Sequence, residues 1–178
     1  MIDLSNDTVS TATPLSADAF KAAFRDHPAG VAVITADSGD GPVALTATSV
    51  ASVSAEPPLI TFSVSALSSS TPTICAARTV IVHLLGAEQL NIAKLGATSG
   101  IDRFADRSLW RVLPTGETYF PEARTWIRAR VLDRMEAGGS TVLLVEALDA
   151  KPAEAGDVPP LVYHNRVWHR LGDHSRIE

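Results

Sequence analysis

Thr46-Ala47-Thr48-Ser49-Val50-Ala51-Ser52-Val53-Ser54-Ala55-Glu56-Pro57-Pro58 is the stretch from which the rest of the chain is best read. In strand geometry side chains alternate between faces, so Thr46, Thr48, Ser52 and Ser54 share one face and the small apolar Ala47, Ala51 and Val53 occupy the other. A half-buried strand ordinarily turns large hydrophobes inward and charges outward. This one offers short hydroxyls and little bulk, which leaves room for a flat polar ligand to approach the backbone. An edge strand built from small and β-branched residues for their sheet preference alone would carry the same pattern, so both readings stand at this point.

Working outward, residues 31–36 form a β-branched apolar run, and Asp37-Ser38-Gly39-Asp40-Gly41-Pro42 is a turn cluster joining it to a strand expected over 43–54. Before it, Ser16 caps a helix in which Phe20, Ala23, Phe24 and His27 recur at helical spacing, ended by Pro28-Ala29-Gly30. After it come a strand at 59–64, a short helix from Thr71 to about Arg78, a strand at 79–85, a helix at 87–95 and a loop at 96–100. Two long strands follow at 123–135 and 140–148, separated by Glu136-Ala137-Gly138-Gly139, and an extended pair at 161–163 and 167–169 closes the chain. Strands outnumber helices and the short connections favour antiparallel pairing. The expected fold is therefore mainly β, a small closed or nearly closed barrel with peripheral helices, because closure removes exposed edges.

A length of 178 residues suits one domain, expected over 14–172 between a polar tail at 1–13 and a short tail at 173–178. The first residues lack the basic start and apolar run of a secretory signal, and no segment has the roughly 20 consecutive apolar residues of a membrane helix. A net charge of −5 without a basic stripe argues against nucleic acid or an anionic membrane as the main partner. Cys75 stands alone, which suits a reducing, cytoplasmic setting and excludes an intrachain disulfide.

The second chemical signal is Ser68-Ser69-Ser70-Thr71-Pro72. Thr71 stands where an N-cap belongs and Pro72 where the first helical residue belongs, so four hydroxyls and the free N–H groups of that turn can surround an anion such as phosphate. Arg103 would add charge if its loop folds back over the helix end. No Gly-x-Ser-x-Gly, His-Glu-x-x-His, P-loop or Gly-x-Gly-x-x-Gly pattern is present. His164, His169 and His174 are spaced five apart with no carboxylate cluster, which argues against a metal site. Without an internal catalytic set, any chemistry is expected to come from a bound organic cofactor.

Several segments resemble one family in order and spacing: Phe24 with Gly30 to Thr35, the stretch from Leu45 to Leu59, Val82-His83-Leu84-Leu85-x-x-Glu88-Gln89, Asp102-Arg103-Phe104, and Pro160 to Leu171. They resemble the flavin reductase-like, FMN-binding split-barrel proteins, which include reductase components of two-component flavin-dependent monooxygenases. The resemblance covers nearly the whole expected domain. It implies an antiparallel split β-barrel, a homodimer with FMN or FAD near the subunit interface, hydride transfer from NADH or NADPH to flavin, and delivery of reduced flavin to an oxygenase. No residue of the chain is singled out as catalytic. Residues matching Thr46, Ala47, Thr48 and Ser49 line the isoalloxazine and ribityl side, and those matching Ser52, Val53 and Ser54 continue that wall. Ser68, Ser69, Ser70 and Thr71 match the stretch that helps hold the flavin phosphate, and Arg103 and Phe104 a basic–aromatic pair near the flavin tail.

Two positions depart from the family pattern. Where many members have Gly-Asp-His, this chain has Gly138-Gly139-Ser140, and His83 stands where Asn is common. Ser140 can hydrogen-bond but carries no positive charge, so the nicotinamide side is expected to draw on Tyr163, His164, Arg166 and Trp168 as well. An alternative is a flavin-binding carrier, sensor or redox module without efficient NAD(P)H oxidation; a related barrel holding haem or a deazaflavin is a third reading.

Overall fold

The structure, a computed structural model, describes residues 13–153 and 158–177. In chain order it contains α1 (Ala17–Arg25), β1 (Ala29–Gly30), β2 (Ala32–Asp37), β3 (Pro42–Ala47), β4 (Ala51–Ala55), β5 (Pro58–Ser65), α2 (Thr71–Ala76) and β6 (Thr79–Leu84). After a 3-10 turn at Ala87–Gln89 come α3 (Leu90–Ala97), β7 (Arg111–Val112), β8 (Thr118–Tyr119), β9 (Thr125–Ala137), β10 (Ser140–Lys151), β11 (Leu161–His164) and β12 (Val167–Arg170). Of the expected tails, residues 1–12 and Glu178 lie outside the described residues, and Asp173–Ser175 forms a 3-10 turn.

All strand pairs are antiparallel. The main sheet has seven strands in the order β3-β2-β6-β9-β10-β5-β4. Its two end strands, β3 and β4, are neighbours in sequence, separated only by residues 48–50. The single strand expected over 43–54 is thus two strands. The first pairs with β2, with Ala47 opposite Ala32, and the second pairs with β5, with Ala51 opposite Thr61. One piece of chain starts on one edge of the sheet and finishes on the other, which curls the sheet into a split barrel.

This corrects the expected hydroxyl face. A strand that changes partners must turn, and the register shift between Ser52 and Ser54 resets the alternation a second time. Thr46, Thr48, Ser52 and Ser54 therefore do not line one continuous surface. Instead, hydroxyls close the split. Ser49 Oγ donates to the Ser63 carbonyl at 3.2 Å and accepts from the Ser63 N–H at 3.0 Å, standing in for a strand bridge. Ser70 Oγ donates to the Ala44 carbonyl on β3 at 3.0 Å, and Thr71 Oγ1 to the Ser65 carbonyl on β5 at 2.6 Å.

Two hydrophobic layers explain why 31–36 shows no alternation. Ala32, Ile34 and Ala36 point into the barrel with Phe62, Val64, Val82, Leu143 and Val145, plugged by Ile74 and Ala77 at α2. Val31 and Val33 point outward beneath Ile92 and Ala93 of α3 and the aromatic residues Phe104, Trp110 and Phe120. β2 is consequently buried on both faces. Close docking of α3 on β3 requires Gly96, because a Cβ there would stand 2.5 Å from Thr46 Oγ1. Helix α3 runs on to Ala97, so the expected 96–100 loop starts later. The β7–β8 hairpin has two-residue strands, too short to leave a periodic signal; Thr35 Oγ1 fastens it to β2 by donating to the Thr118 carbonyl at 2.6 Å.

His83 joins the two layers. Its Nδ1 donates to the Val33 carbonyl at 2.9 Å and its Nε2 accepts from the Phe120 N–H at 3.0 Å, a pairing that requires the neutral imidazole. Burial pulls its pKa from the ordinary 6.5 down to about 4, and the bond to Val33 offsets only part of that. Above pH 6.5 the folded and unfolded chains are both neutral at this residue; between about 6.5 and 4 only the unfolded chain takes up the proton. Stability should therefore fall across that interval by on the order of 3 kcal/mol from this residue. His83→Leu is expected to cost about 1–3 kcal/mol at neutral pH, through two unpartnered backbone groups, and to flatten this part of the acid dependence. Urea denaturation between pH 4 and 7 compares the two slopes; equal slopes would show that another group titrates.

Candidate functional site

The segment from Ser65 into α2 turns back across the split of the barrel, which fixes what its hydroxyls can do. Helix α2 begins at Thr71, and Ser70 before it is in a helical conformation with no side-chain capping bond. The expected capping role of Thr71 is therefore not taken up: its hydroxyl is held by Ser65 and that of Ser70 by Ala44. Ser68 Oγ accepts from the Ser70 N–H at 3.3 Å, and Ser69 is exposed beside it.

Arg103 does fold back over this corner. Its guanidinium donates to Ser70 Oγ at 3.1 Å, to the Leu95 carbonyl at 3.3 Å and to the Thr98 carbonyl at 2.7 Å. All three acceptors are neutral, and among the described residues no carboxylate pairs with it. Since a guanidinium has five N–H donors, a half-buried positive charge with donors to spare sits at the mouth of the split. Phe104 does not share this position: its ring is buried, stacked on Phe120 with centroids 5.8 Å apart and edge-on to Trp110 at 5.7 Å. The expected basic–aromatic pair thus divides, one member at the site and the other in the core.

Along the split, Thr46 is committed to α3, donating to the Ala93 carbonyl at 2.6 Å, and Ala47 is buried in the barrel. Ser54 accepts from the Glu56 N–H at 3.2 Å and serves the following turn. Thr48, Ser52 and Val53 remain exposed. As an edge strand, β4 pairs with β5 alone and buries none of its residues, so both its faces and its outer backbone edge are open.

Thr48 also borders a groove of about 340 Å³. Tyr163, His164 and Arg166 of the β11–β12 hairpin line it opposite Lys21 and Arg25 of α1. The structure thus brings together one residue expected on the flavin side and three expected on the nicotinamide side. Trp168 packs on Tyr163 at 4.6 Å and against the outer core, half-buried. Ser140 stands apart, opposite Ser65 at the start of β10, where the Ala66 N–H donates to the Gly139 carbonyl at 2.9 Å. It belongs with the 65–71 corner rather than with the groove. The residues of α1 were missed as site residues, although Lys21 and Arg25, four apart beside Phe20 and Phe24, carried the signal.

A groove lined with cations, a guanidinium at the mouth of the split and an open edge strand suit a phosphate-bearing planar ligand. Nothing here resembles a metal centre: among the described residues no His, Cys, Asp and Glu side chains cluster as metal ligands. No described helix is long and apolar enough to cross a membrane.

Comparison with known proteins agrees with this geometry. Residues 24–172 match the family model of the flavin reductase-like domain. The NADH:FMN oxidoreductase of Rhodococcus qingshengii is 42% identical over 165 residues, spanning 92% of this chain and 86% of that protein. Among solved structures, a flavin reductase domain protein from Arthrobacter sp. FB24 superposes with a TM-score of 0.81 at 33% identity, covering 87% of this chain and 95% of that one. BorF, the flavin reductase component of a bacterial two-component tryptophan halogenase, superposes at 0.79 with 27% identity, covering 89% and 99%. The chain belongs to the flavin reductase-like family.

Proposed function

We propose that the protein is an NAD(P)H-dependent flavin reductase that binds FMN, or FAD, along the split of its barrel and supplies reduced flavin to a separate flavin-dependent oxygenase. The observation that carries this reading is Arg103 at the mouth of the split, positively charged and, among the described residues, without a carboxylate partner, beside the open β4 edge. In this arrangement Arg103, with Ser68 and Ser69, holds the flavin phosphate, while Thr48, Ser52 and Val53 and the backbone between them border the ring system and ribityl chain. Ser49, Ser70 and Thr71 act indirectly, by holding the split in shape. A flavin held there by Arg103, Ser68 and Ser69 would supply the hydride-accepting chemistry, taking two electrons and a proton from the reduced nicotinamide and one further proton from water. Such a transfer demands positioning rather than acid–base groups.

The Rhodococcus protein is an NADH:FMN oxidoreductase and BorF serves a halogenase, and both support the same assignment here. We further propose a homodimer. A strand that buries nothing, together with exposed Val53, Leu132, Met135 and Leu148, leaves apolar surface beside the site that a second copy would cover. Light scattering should then give twice the chain mass of 18.8 kDa; a monomer at micromolar concentration would reject the dimer.

Mixing the purified protein with FMN and NADH or NADPH without oxygen should bleach the flavin absorbance and consume the nucleotide together. No acceleration with either nucleotide would rule out a reductase. Arg103→Ala is expected to weaken FMN at least tenfold, in line with the roughly 1.5–3 kcal/mol of a hydrogen bond to a charged group. Riboflavin, which lacks the phosphate, should change less than twofold. Fluorescence titration of both ligands decides this, and equal losses would place the phosphate elsewhere.

A further inference from the structure

We infer that α1 is the outer wall of the nicotinamide nucleotide site: Lys21, Arg25 and Arg166 hold the pyrophosphate of the dinucleotide, and Phe20 and Phe24 offer a face to its adenine. This rests on the reductase reading above and extends it to an element outside the barrel. The groove between α1, Thr48 and the β11–β12 turn falls within the roughly 300–1,000 Å³ range of small-molecule sites. Among the described residues no carboxylate lines it, although the chain as a whole carries a net charge of −5. The nearby acids are already engaged: Asp26 by His164 at 3.0 Å and Asp18 by Lys21 at 3.8 Å. His27 and His164 complete the polar lining.

Helix α1 has little structural reason to be where it is. None of its residues is buried, and a nine-residue helix is marginal by itself in water. It is fastened to the barrel by the Asn165 N–H, which donates to the Arg25 carbonyl at 3.1 Å, and by the Asp26–His164 pair. Its apolar stripe, Phe20 and Phe24 with ring centroids 4.6 Å apart, remains 53% and 60% exposed. Exposed aromatic rings beside three cations match a ligand that joins a planar base to two phosphates.

The turn that carries Arg166 points the same way. Asn165 and Arg166 both have positive φ, +48° and +64°, a two-residue hairpin turn whose second position favours glycine. An arginine in that conformation is strained, because its Cβ crowds the following carbonyl. A glycine would relieve it, so the position keeps a guanidinium against its backbone preference. Lying next to Thr48, on the proposed flavin wall, the groove would set a bound nucleotide beside the flavin ring.

The test uses full-length protein and two exposed variants, Lys21→Ala/Arg25→Ala and Arg166→Gly, the second relieving rather than adding strain. Isothermal titration with ADP-ribose, which carries the pyrophosphate and adenine but no nicotinamide, should show binding to the FMN-loaded wild type and at least tenfold weaker binding to each variant. Steady-state KM for NADH should rise at least tenfold with kcat within twofold. KM for reduced nicotinamide riboside, which carries no phosphate, and the Kd for FMN should stay within twofold. Unchanged ADP-ribose binding and NADH KM in an active enzyme would overturn the inference and leave the reductase reading standing. ADP-ribose binding that falls in the variants, with no nucleotide oxidised by the wild type, would support the groove while overturning the reductase reading. An equal rise in KM for NADH and for the reduced riboside would also overturn the inference, because the loss would then lie at the nicotinamide rather than at the pyrophosphate and adenine.

Discussion

A barrel must satisfy the edges of its own first and last strands, and here the chain from Pro42 to Ala55 has to serve as both. It pairs with β2 through its first half and with β5 through its second, so residues 48–50 cross the gap with no ladder on either side. Backbone groups left bare at such a gap cost free energy comparable to a lost hydrogen bond each. Side-chain hydroxyls relieve that cost. Ser49 pairs with both backbone groups of Ser63, Ser70 reaches Ala44, and Thr71 reaches Ser65, three short side chains substituting for a strand. Larger residues would wedge the split open and alanines would leave carbonyls unpaired, so the Ser/Thr richness of these segments is first a requirement of closure.

That requirement shapes the site as well. With Ser70 and Thr71 committed to the backbone, the positive charge at this corner comes from one guanidinium delivered by a loop, and the same guanidinium braces the end of α3 through Leu95 and Thr98. A single arginine thus links the split to the outer helix. Such sharing pre-organises the corner, since the partners of Arg103 lie on two separate parts of the fold, Ser70 at the split and Leu95 with Thr98 at the end of α3.

Much of the fold was legible because β-branched runs and Gly/Pro/Asp turns punctuate this chain clearly. The succession of the longer elements along the chain, the two long strands around Gly138-Gly139 and the Ser16 cap all appear near their expected places, with Ser16 Oγ accepting from the Ala19 N–H. The break at residues 48–50 was not legible, because the period-two pattern of small residues runs through it undisturbed and pairing partners are set by tertiary contacts. The same holds for hydroxyls: a serine that closes a split and a serine that binds phosphate are identical in sequence. Phe104 illustrates the converse. Its neighbour Arg103 faces the site, and adjacent residues in an irregular loop need not share a direction, so a motif that carries one of them says little about the other.

Electrostatics ties the two ends of the candidate site together. The protein carries 20 Asp and Glu against 15 Lys and Arg, so at long range it repels the anionic flavin and nucleotide it is proposed to bind. Physiological salt screens that repulsion beyond about 8 Å, leaving close-range fields to govern binding. There the sign reverses, at Arg103 by the split and at Lys21, Arg25 and Arg166 in the groove. With the nucleotide in that groove, hydride loss turns its nicotinamide ring from neutral to cationic and lowers the net negative charge the groove holds. The same side chains would then bind the oxidised product less tightly than the reduced substrate.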